Sequence, residues 1–407
     1  MSAQGAGSIA SARRQTAILA GLATVGQFST SVYVPSIPSM AADLAAPVAV
    51  LQLTIAAYLV PIAVGQLVMG ALADRWGRRR VLTGGMLLFL SGTAVCLFAI
   101  SAAPFFAGRA LQGLGAAAGL VVSRAVARDL FEGDALVRAV SAIAIAFALV
   151  PGVAPLFGGL IEDALGWRAA FVATLLLGLV LMLAYLAIIP ESLRRSEPPS
   201  TRQLLQGYRR IFFDRAFQRH AIVSAGPIAG IFAFLAGGPV FAIKELGMSA
   251  SAFGIYPPLA TTGFLVFNRL AMHRLPTLGP VRLVAIGLLL AVMGSTIALV
   301  LRATGTLEIN GLTFSMWLFS GGMGVVVPLS TAQAMQLHPD RAGSAAAVIG
   351  FEQMAGGVLG TVGVAALAPL LGSAGFPMTM ALACFATAII FSVVNRRGQK
   401  GRAVHEV

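Results

Sequence analysis

Two charged side chains, those of Arg109 and Glu352, lie inside long apolar runs of this 407-residue sequence. A charge at the centre of a hydrocarbon-spanning helix costs at least about 2.5–3.5 kcal/mol, and such residues usually mark function. Burial favours the neutral form of a carboxyl group, which could then bind and release a proton. We therefore predict that Glu352 titrates during function. The alternatives are an anion that anchors a ligand without titrating and a carboxylate with only a structural role.

The elements that hold these charges are predicted to be membrane-spanning helices. Hydrophobic residues make up 58% of the chain and charged residues only 11%, whereas a soluble domain carries about 25% charged residues. Crossing the hydrocarbon takes roughly 20 apolar residues. Runs of that kind fall near 16–38, 49–71, 81–100, 104–126, 137–160, 168–189, 219–241, 252–270, 282–302, 310–334, 343–368 and 376–394. The predicted fold class is an all-α integral membrane protein with twelve transmembrane helices.

Lys and Arg residues fall almost entirely on one side of this arrangement. If both termini are cytoplasmic, only Arg168, Lys244 and Arg302 lie outside and Arg109 lies within a span, so the other 24 of the 28 Lys and Arg residues are cytoplasmic. Cytoplasmic segments of membrane proteins are enriched in Lys and Arg. The asymmetry therefore predicts an even number of spans with both termini in the cytoplasm.

The two halves of the chain repeat a short pattern. Residues 138–142 read Arg-Ala-Val-Ser-Ala and residues 341–345 read Arg-Ala-Gly-Ser-Ala, each at the start of a predicted span. Duplication of a six-span unit is a recurring plan in secondary transporters. We expect two pseudo-symmetric six-helix bundles, 1–189 and 219–407, joined by a cytoplasmic linker at 190–218.

Several classes of function lack their required residues. A phosphate-binding Walker loop needs a lysine followed by Ser or Thr, but Lys244 precedes Glu and Lys400 precedes Gly. The four histidines show no metal-ligand spacing, and Cys96 and Cys384 lie in apolar runs where thiols act as packing groups. The net charge of +13 is spread over short segments between apolar runs rather than clustered for nucleic acid. We expect no enzyme activity, cofactor, metal or nucleic-acid partner.

A glycine- and arginine-rich turn joins the second and third predicted spans. Gly70 allows close helix approach and Gly77 the turn itself, while Asp74 can cap a helix or pair with an arginine. Such an ion pair would hold the cytoplasmic face closed in one state and break in another. A basic turn anchored at the lipid headgroups is the alternative. The gate candidates in this turn are Gly70, Asp74, Arg75, Gly77, Arg78 and Arg79.

This turn resembles a signature of the major facilitator superfamily, and further motifs of the first half resemble others. The fourth predicted span carries Arg109, Gln112, Gly113 and Gly115, similar to the second motif of the superfamily, and ends in Arg128 and Asp129, which join the gate candidates. The fifth span is similar to the antiporter motif, although Ala154 stands where a Gly-Pro step is usual. Its candidate residues are Pro151, Gly152, Pro155, Gly158 and Gly159.

Together these motifs resemble the drug:proton antiporter branch, and residues 33–38 resemble its bicyclomycin/chloramphenicol-resistance (Bcr/CflA) type. The resemblance implies that Arg109 polarises a cavity or orients a water near the proton-coupling site, with a hydrogen-bonding strut as the alternative. Proline and glycine in span five would give a bent, closely packed helix that seals the outer face, or serve packing alone. Ser31 stands where the family usually has an Asp, so the first span has no acidic residue.

The resemblance implies export of drug-like or natural-product small molecules across the bacterial inner membrane by alternating access, in exchange for protons, by a monomer surrounded by membrane lipid. A metabolite or sugar effluxer, an importer with other coupling and a non-transporting sensor are the alternatives. Aromatic and polar side chains are the candidate substrate contacts, each aromatic having lipid contact or packing as its alternative. They are Gln27, Ser31, Tyr33, Tyr58, Gln112, Phe147, Phe232, Phe234, Asn268, Trp317, Phe351 and Gln353.

Overall fold

The computed structural model describes residues 3–193 and 200–403, and every regular element among them is helical. Residues 194–199 of the predicted linker, including Arg194 and Arg195, lie outside the described residues. The α-helices are α1 (Ala3–Val32), α2 (Ile37–Asp43), α3 (Val48–Trp76), α4 (Arg78–Leu97), α5 (Ala102–Leu130), α6 (Gly133–Leu165), α7 (Trp167–Ile188), α8 (Thr201–Phe212), α9 (Arg215–Val240), α10 (Ala250–Gly254), α11 (Tyr256–Ala303), α12 (Ile309–Gln336), α13 (Ala342–Leu371) and α14 (Gly375–Ala403).

Ten helical stretches of the described chain are long and apolar enough to cross a membrane. Two of these, Ala250–Ala303 and Pro339–Val393, have 54 and 55 residues, more than twice the length that one crossing needs. Each contains a glycine with positive φ, Gly279 at 71° and Gly372 at 56°, where a right-handed helix cannot continue. Each long stretch therefore contains two crossings, and the predicted count of twelve is confirmed.

Single glycines separate consecutive helices at two of the predicted turns. Gly77, at φ 97°, separates α3 from α4, and Gly166, at φ 78°, separates α6 from α7. Both conformations lie in the region that glycine adopts without steric cost. Because each turn is one residue long, consecutive helices emerge side by side, as a bundle of antiparallel spans requires.

The described residues form two compact units, one of residues up to Leu204 plus Ser249–Gly254, the other of Leu205–Met248 plus the chain from Ile255 onwards. In the first unit, α4 and α5 approach so closely that a Cβ on Gly92 or Gly115 would meet the backbone of the neighbouring helix. In lipid, small residues drive helix association through this kind of contact. The helices α1, α3, α6 and α7 complete the bundle around α5 and its neighbours.

The second unit is built by the same means from α9 and α11–α14. Gly294 and Gly322 bring α11 and α12 into backbone contact, and Gly360 brings α13 against the backbone of α9. A cluster of buried aliphatic residues, including Leu288 and Val326, fills the space between α11 and α12. The charged helix α8, which follows the undescribed segment, ends next to the start of α9.

Candidate functional site

Arg109 is the largest fully buried side chain of the first unit, with 0% exposure. Its guanidinium carbon lies 4.7 Å from the ring centroid of Tyr33 and 4.4 Å from that of Tyr58. The guanidinium also donates to Gln112 Oε1 and, at 3.4 Å, to Thr30 Oγ1. The structure therefore brings four of the sequence-predicted site residues, Arg109, Gln112, Tyr33 and Tyr58, into one cluster.

Neutral groups surround this buried cation. No described carboxylate forms an ion pair with Arg109, and its Nε has no hydrogen-bond acceptor among the described residues. A buried charge without a counter-ion is costly, and here cation–π contacts with two rings offset part of that cost. Ser31, where the family usually has an acid, is itself buried in α1 with 2% exposure. The cluster thus contains the arginine of the second motif, Arg109, but no carboxylate at position 31 to pair with it.

A second layer of hydrogen bonds fixes the groups around the guanidinium. Gln112 Nε2 donates to Thr93 Oγ1 at 2.8 Å, and the Tyr33 hydroxyl lies 3.0 Å from Thr54 Oγ1. These bonds link α5 to α4, and the residue that follows α1 to α3. The Arg109 cluster is therefore held by four helices of one bundle, and a change in their packing would change the environment of the charge.

The gate candidates form an ion-pair network at the other end of this unit. Arg78 pairs with Asp74 at 2.5 Å and with Asp129 at 3.0 Å, and Asp129 also accepts from Ser192 Oγ at 3.0 Å. Asp74 therefore pairs within its own motif, and Arg78 ties α3 and α4 to the end of α5. Arg75 and Arg128 are exposed and belong to no described ion pair.

The glycine pair of the antiporter motif makes two different close contacts. A Cβ on Gly158 would collide with the backbone carbonyl of Val32 at the end of α1, and one on Gly159 with the carbonyl of Ala250. Pro151 and Pro155 lie inside α6, which is helical throughout from Gly133 to Leu165. The motif therefore lets α6 pack at backbone distance on α1 and on the short helix α10.

An acidic residue one turn further along α6 holds the same short helix. The Asp163 carboxylate accepts from the backbone N–H of Ser251 at 2.9 Å and of Ala250 at 3.3 Å. Its neighbour Glu162 accepts from Ser39 Oγ at 2.5 Å. Neither acid is a candidate from the sequence, because their partners are 88 and 123 residues away.

Glu352 is half-buried on α13 in the second unit. One carboxylate oxygen accepts from Gln218 Nε2 at 2.6 Å, and the other has no described hydrogen-bond partner. Gln218 is in the first turn of α9. The ring of Phe351 makes an edge-to-face contact, with centroids 5.7 Å apart, with Phe212, the last residue of α8. The carboxylate thus lies beside one end of α9. Counting about nine residues from the start of the predicted span at 343–368 places Glu352 near the membrane midplane instead, so that estimate of its depth is wrong.

Other polar candidates of the second unit bond to neighbouring helices. Asn268 donates to the carbonyl of Gly324 at 2.8 Å, and Trp317 Nε1 donates to Thr262 Oγ1 at 3.1 Å. Gln353 donates to Ser224 and Thr331. Polar groups in lipid need such partners, and these bonds join α11 to α12 and α13 to α9 and α12.

The aromatic candidates differ in exposure. Phe232 and Phe234 are 4% and 5% exposed, and Phe234 packs on Phe376, so in this conformation both rings lie within the packed second unit. Phe147 and Gln27 are half-buried in the first unit. Tyr33 and Tyr58 are enclosed around Arg109.

Arg124 contacts one of the aromatic candidates. The charge asymmetry predicts a cytoplasmic position for Arg124, but α5 continues to Leu130, six residues or about 9 Å further. The side chain is exposed, and its guanidinium lies 5.7 Å from the ring centroid of Phe147. The apolar residues that continue to Ala127 were the available signal that the helix extends beyond Arg124.

Comparison with known proteins decides the family. The model described as Major Facilitator Superfamily matches residues 19–361. The chain belongs to the major facilitator superfamily. It is therefore a multi-pass membrane transporter rather than an enzyme, and the family predicted from the motifs is confirmed.

Curated relatives match along most of their length. Multidrug resistance protein D of Escherichia coli (strain K12) is 31% identical over 366 residues, which cover 89% of this chain and 90% of that protein. A chloramphenicol resistance protein of Pseudomonas aeruginosa is 29% identical over 395 residues, covering 95% of this chain and 91% of that protein. These names agree with the resemblance to the drug:proton antiporter branch.

Solved structures share the fold. A D-xylose–proton symporter superposes with a TM-score of 0.70 at 18% identity, covering 92% of this chain and 96% of that one. The human organic anion transporter MFSD10 gives 0.64 at 17% identity, covering 93% and 99%. At these identities the likeness establishes the twelve-helix fold and carries nothing about substrate.

Proposed function

We propose that this transporter exports drug-like or natural-product small molecules across the bacterial inner membrane by alternating access, in exchange for protons that Glu352 binds and releases. The names of the relatives, multidrug resistance protein D and a chloramphenicol resistance protein, support the substrate class. The resemblance of the fifth span to the antiporter motif supports the direction of transport.

The observation that carries the proton assignment is the incomplete satisfaction of the Glu352 carboxylate. Its Oε1 accepts one hydrogen bond from a neutral amide, and its Oε2 has no described partner. A half-buried anion with one neutral donor is poorly compensated, so a bound proton stabilises it. A change in the distance to Gln218 during transport would then change how tightly the proton is held.

The first span contains no acid that could bind the proton instead. The described part of α1, from Ala3 to Val32, contains no Asp or Glu. Arg109 cannot bind a proton in its place, because a guanidinium stays charged under physiological conditions. Among the acids, Asp43, Asp74, Asp129, Asp163 and Glu191 accept hydrogen bonds from, or pair with, cations or backbone amides. Glu352 accepts from a neutral side chain only. Glu162 does the same from Ser39 Oγ, but it lies in the last turn of α6.

The test replaces Glu352 with Gln in protein reconstituted into liposomes. With an imposed pH gradient, wild-type protein is expected to move a fluorescent lipophilic cation such as ethidium against its concentration gradient. Glu352→Gln is expected to abolish this uphill movement while retaining downhill exchange, because only proton binding is removed. The matched control is Glu308→Gln, which changes an exposed acid outside the spans.

Two results would overturn the proposal. Uphill transport by Glu352→Gln at the wild-type rate would show that Glu352 does not couple transport to protons. In cells, an exporter lowers dye accumulation, and an uncoupler such as a protonophore restores it. Unchanged accumulation and unchanged susceptibility to a panel of compounds including chloramphenicol would contradict the export of drug-like molecules.

A further inference from the structure

A groove of about 800 Å³ opens on the surface of the first unit. It lies between the end of α3, the first half of α4 and the end of α7. Its lining combines three arginines with exposed apolar groups. The arginines are Arg75, Arg79 and Arg80, and the apolar residues include Trp76 and Leu87. Trp76 is 57% exposed and Leu87 is 53% exposed. Arg75, Gly77 and Arg79 are also gate candidates, but the function proposed above gives the exposed surface that they line no ligand.

The cations in the groove are available to an anion. Arg75 and Arg80 are exposed, and no described residue forms an ion pair with either. Arg79 donates to the carbonyl of Leu186 at 2.6 Å, which fixes it in the wall. The one acid in the lining, Glu191, already accepts from the backbone amides of Arg78 and Arg79 at 2.9 and 3.1 Å. Three guanidiniums against one satisfied carboxylate leave the groove net positive.

The apolar part of the groove follows one face of α4. Arg80, Gly84 and Leu87 are spaced by four and three residues, so they share a face of the helix, and Leu87 lies about 10 Å further along the axis than Arg80. A Cβ built on Gly84 meets nothing within 4 Å, so the surface between the cation and the leucine is open. The face therefore presents a charge, then an open strip, then an exposed apolar side chain.

This order matches an anionic phospholipid. A phosphate group suits guanidinium donors, which bind two oxygens at once, and basic pockets between transmembrane helices bind anionic headgroups. Tryptophan is enriched at the membrane interface, where one face of its ring is wet and the other apolar. We propose that this groove binds one anionic glycerophospholipid, its headgroup at Arg75 and Arg80 and an acyl chain along Gly84 and Leu87.

The test measures lipid binding to purified, delipidated full-length protein by native mass spectrometry. Phosphatidylglycerol, phosphatidylethanolamine and phosphatidylcholine with the same acyl chains are titrated in parallel. We expect one phosphatidylglycerol to bind at least about fivefold more tightly than either zwitterionic lipid. Equal binding of phosphatidylglycerol and phosphatidylcholine would overturn the proposal. Complete displacement of the lipid by excess inorganic phosphate would also overturn it, because the groove would then be a phosphate site without an acyl-chain contact.

Two variants separate the charge from the groove. Arg80→Gln is expected to weaken phosphatidylglycerol binding about fivefold, and Gly84→Leu to abolish it by filling the open strip without changing any charge. The controls are Arg138→Gln, an exposed arginine away from the groove, and Gly343→Leu, an exposed helical glycine that also has open space at its Cβ. Wild-type binding by Arg80→Gln and Gly84→Leu, with all four variants monodisperse, would refute the site.

Discussion

At the scale of single residues, Arg109 is a buried cation whose described contacts are all with neutral groups. The guanidinium lies over two tyrosine rings, donates to Gln112 and Thr30, and has no described anionic partner. A planar, weakly hydrated cation suits such a site, whereas the ammonium of lysine is compact and strongly hydrated. The identity of this cation therefore matters as well as its charge.

Arg109→Lys is expected to lower the free energy of unfolding by about 1–2 kcal/mol and to reduce transport, because lysine cannot lie against both rings or reach both acceptors. Thermal denaturation in detergent and the liposome assay measure the two effects. Arg138→Lys is the matched control, since Arg138 is an exposed arginine at the start of α6. A denaturation midpoint for Arg109→Lys equal to that of wild type would contradict the role of the planar group.

For the helical elements, capping decides how α9 begins. Asp214 is the N-cap of α9, and its carboxylate accepts from the Ala216 amide at 2.8 Å and contacts His338 Nε2 at 2.8 Å. Burial by itself would raise the pKa of Asp214, but the hydrogen bonds from Ala216 and His338 outweigh it and lower that pKa below its usual value. The start of α9 therefore depends on an ionised carboxylate, one turn from the partner of Glu352.

A lowered pKa in the folded state fixes the sign of the pH effect. The stabilisation by Asp214 is fully present above its unfolded pKa of about 3.9 and is lost as the pH falls through the lower folded value. Asp214→Asn is therefore expected to lower the denaturation midpoint at pH 6, since the amide can cap the helix but carries no charge for His338, and to match wild type in strongly acidic solution. Asp340→Asn, at a more exposed acid, is the control. A difference from wild type that stays constant between pH 6 and pH 3 would exclude the ionised cap.

Close contacts between helices explain why the antiporter motif has glycine at two adjacent positions. Gly158 and Gly159 are each needed where α6 meets another backbone, at Val32 and at Ala250. The two contacts lie on adjacent residues and so on different faces of α6. One short motif thereby fixes the packing of α6 on α1 and on α10 at once.

For the whole molecule, charge asymmetry predicts the orientation in the membrane. Cysteines placed at opposite ends of the spans test it: Thr306→Cys, in the exposed turn between α11 and α12, and Gln206→Cys, on the exposed surface of α8. A membrane-impermeant maleimide is expected to label Thr306→Cys in intact cells and Gln206→Cys only after lysis. Native Cys96 and Cys384 are buried and give little background. Labelling of Gln206→Cys in intact cells would reverse the predicted orientation.

Much of this architecture could be predicted from the sequence because its causes act locally along the chain. Apolar runs must be long enough to cross the hydrocarbon, and arginines remain on the cytoplasmic side. Turn glycines such as Gly77 and Gly166 have positive φ where the runs end. The motifs around Arg109 and in α6 indicated the family and selected residues that the structure brings together. These features need no knowledge of which helix lies next to which.

Only the tertiary structure decided the partners. Glu352 and Gln218 are 134 residues apart, Asp163 and Ser251 are 88 apart, and Arg78 bonds to Asp129 from another helix. In lipid, every span is apolar on most sides, so periodicity says little about which face meets which neighbour. The register of packed helices, set by glycine contacts far apart in sequence, determines which polar side chains meet. The sequence alone therefore predicted that Glu352 lies in span eleven. Only the packing of α13 on α9 showed that Gln218 is its hydrogen-bond partner.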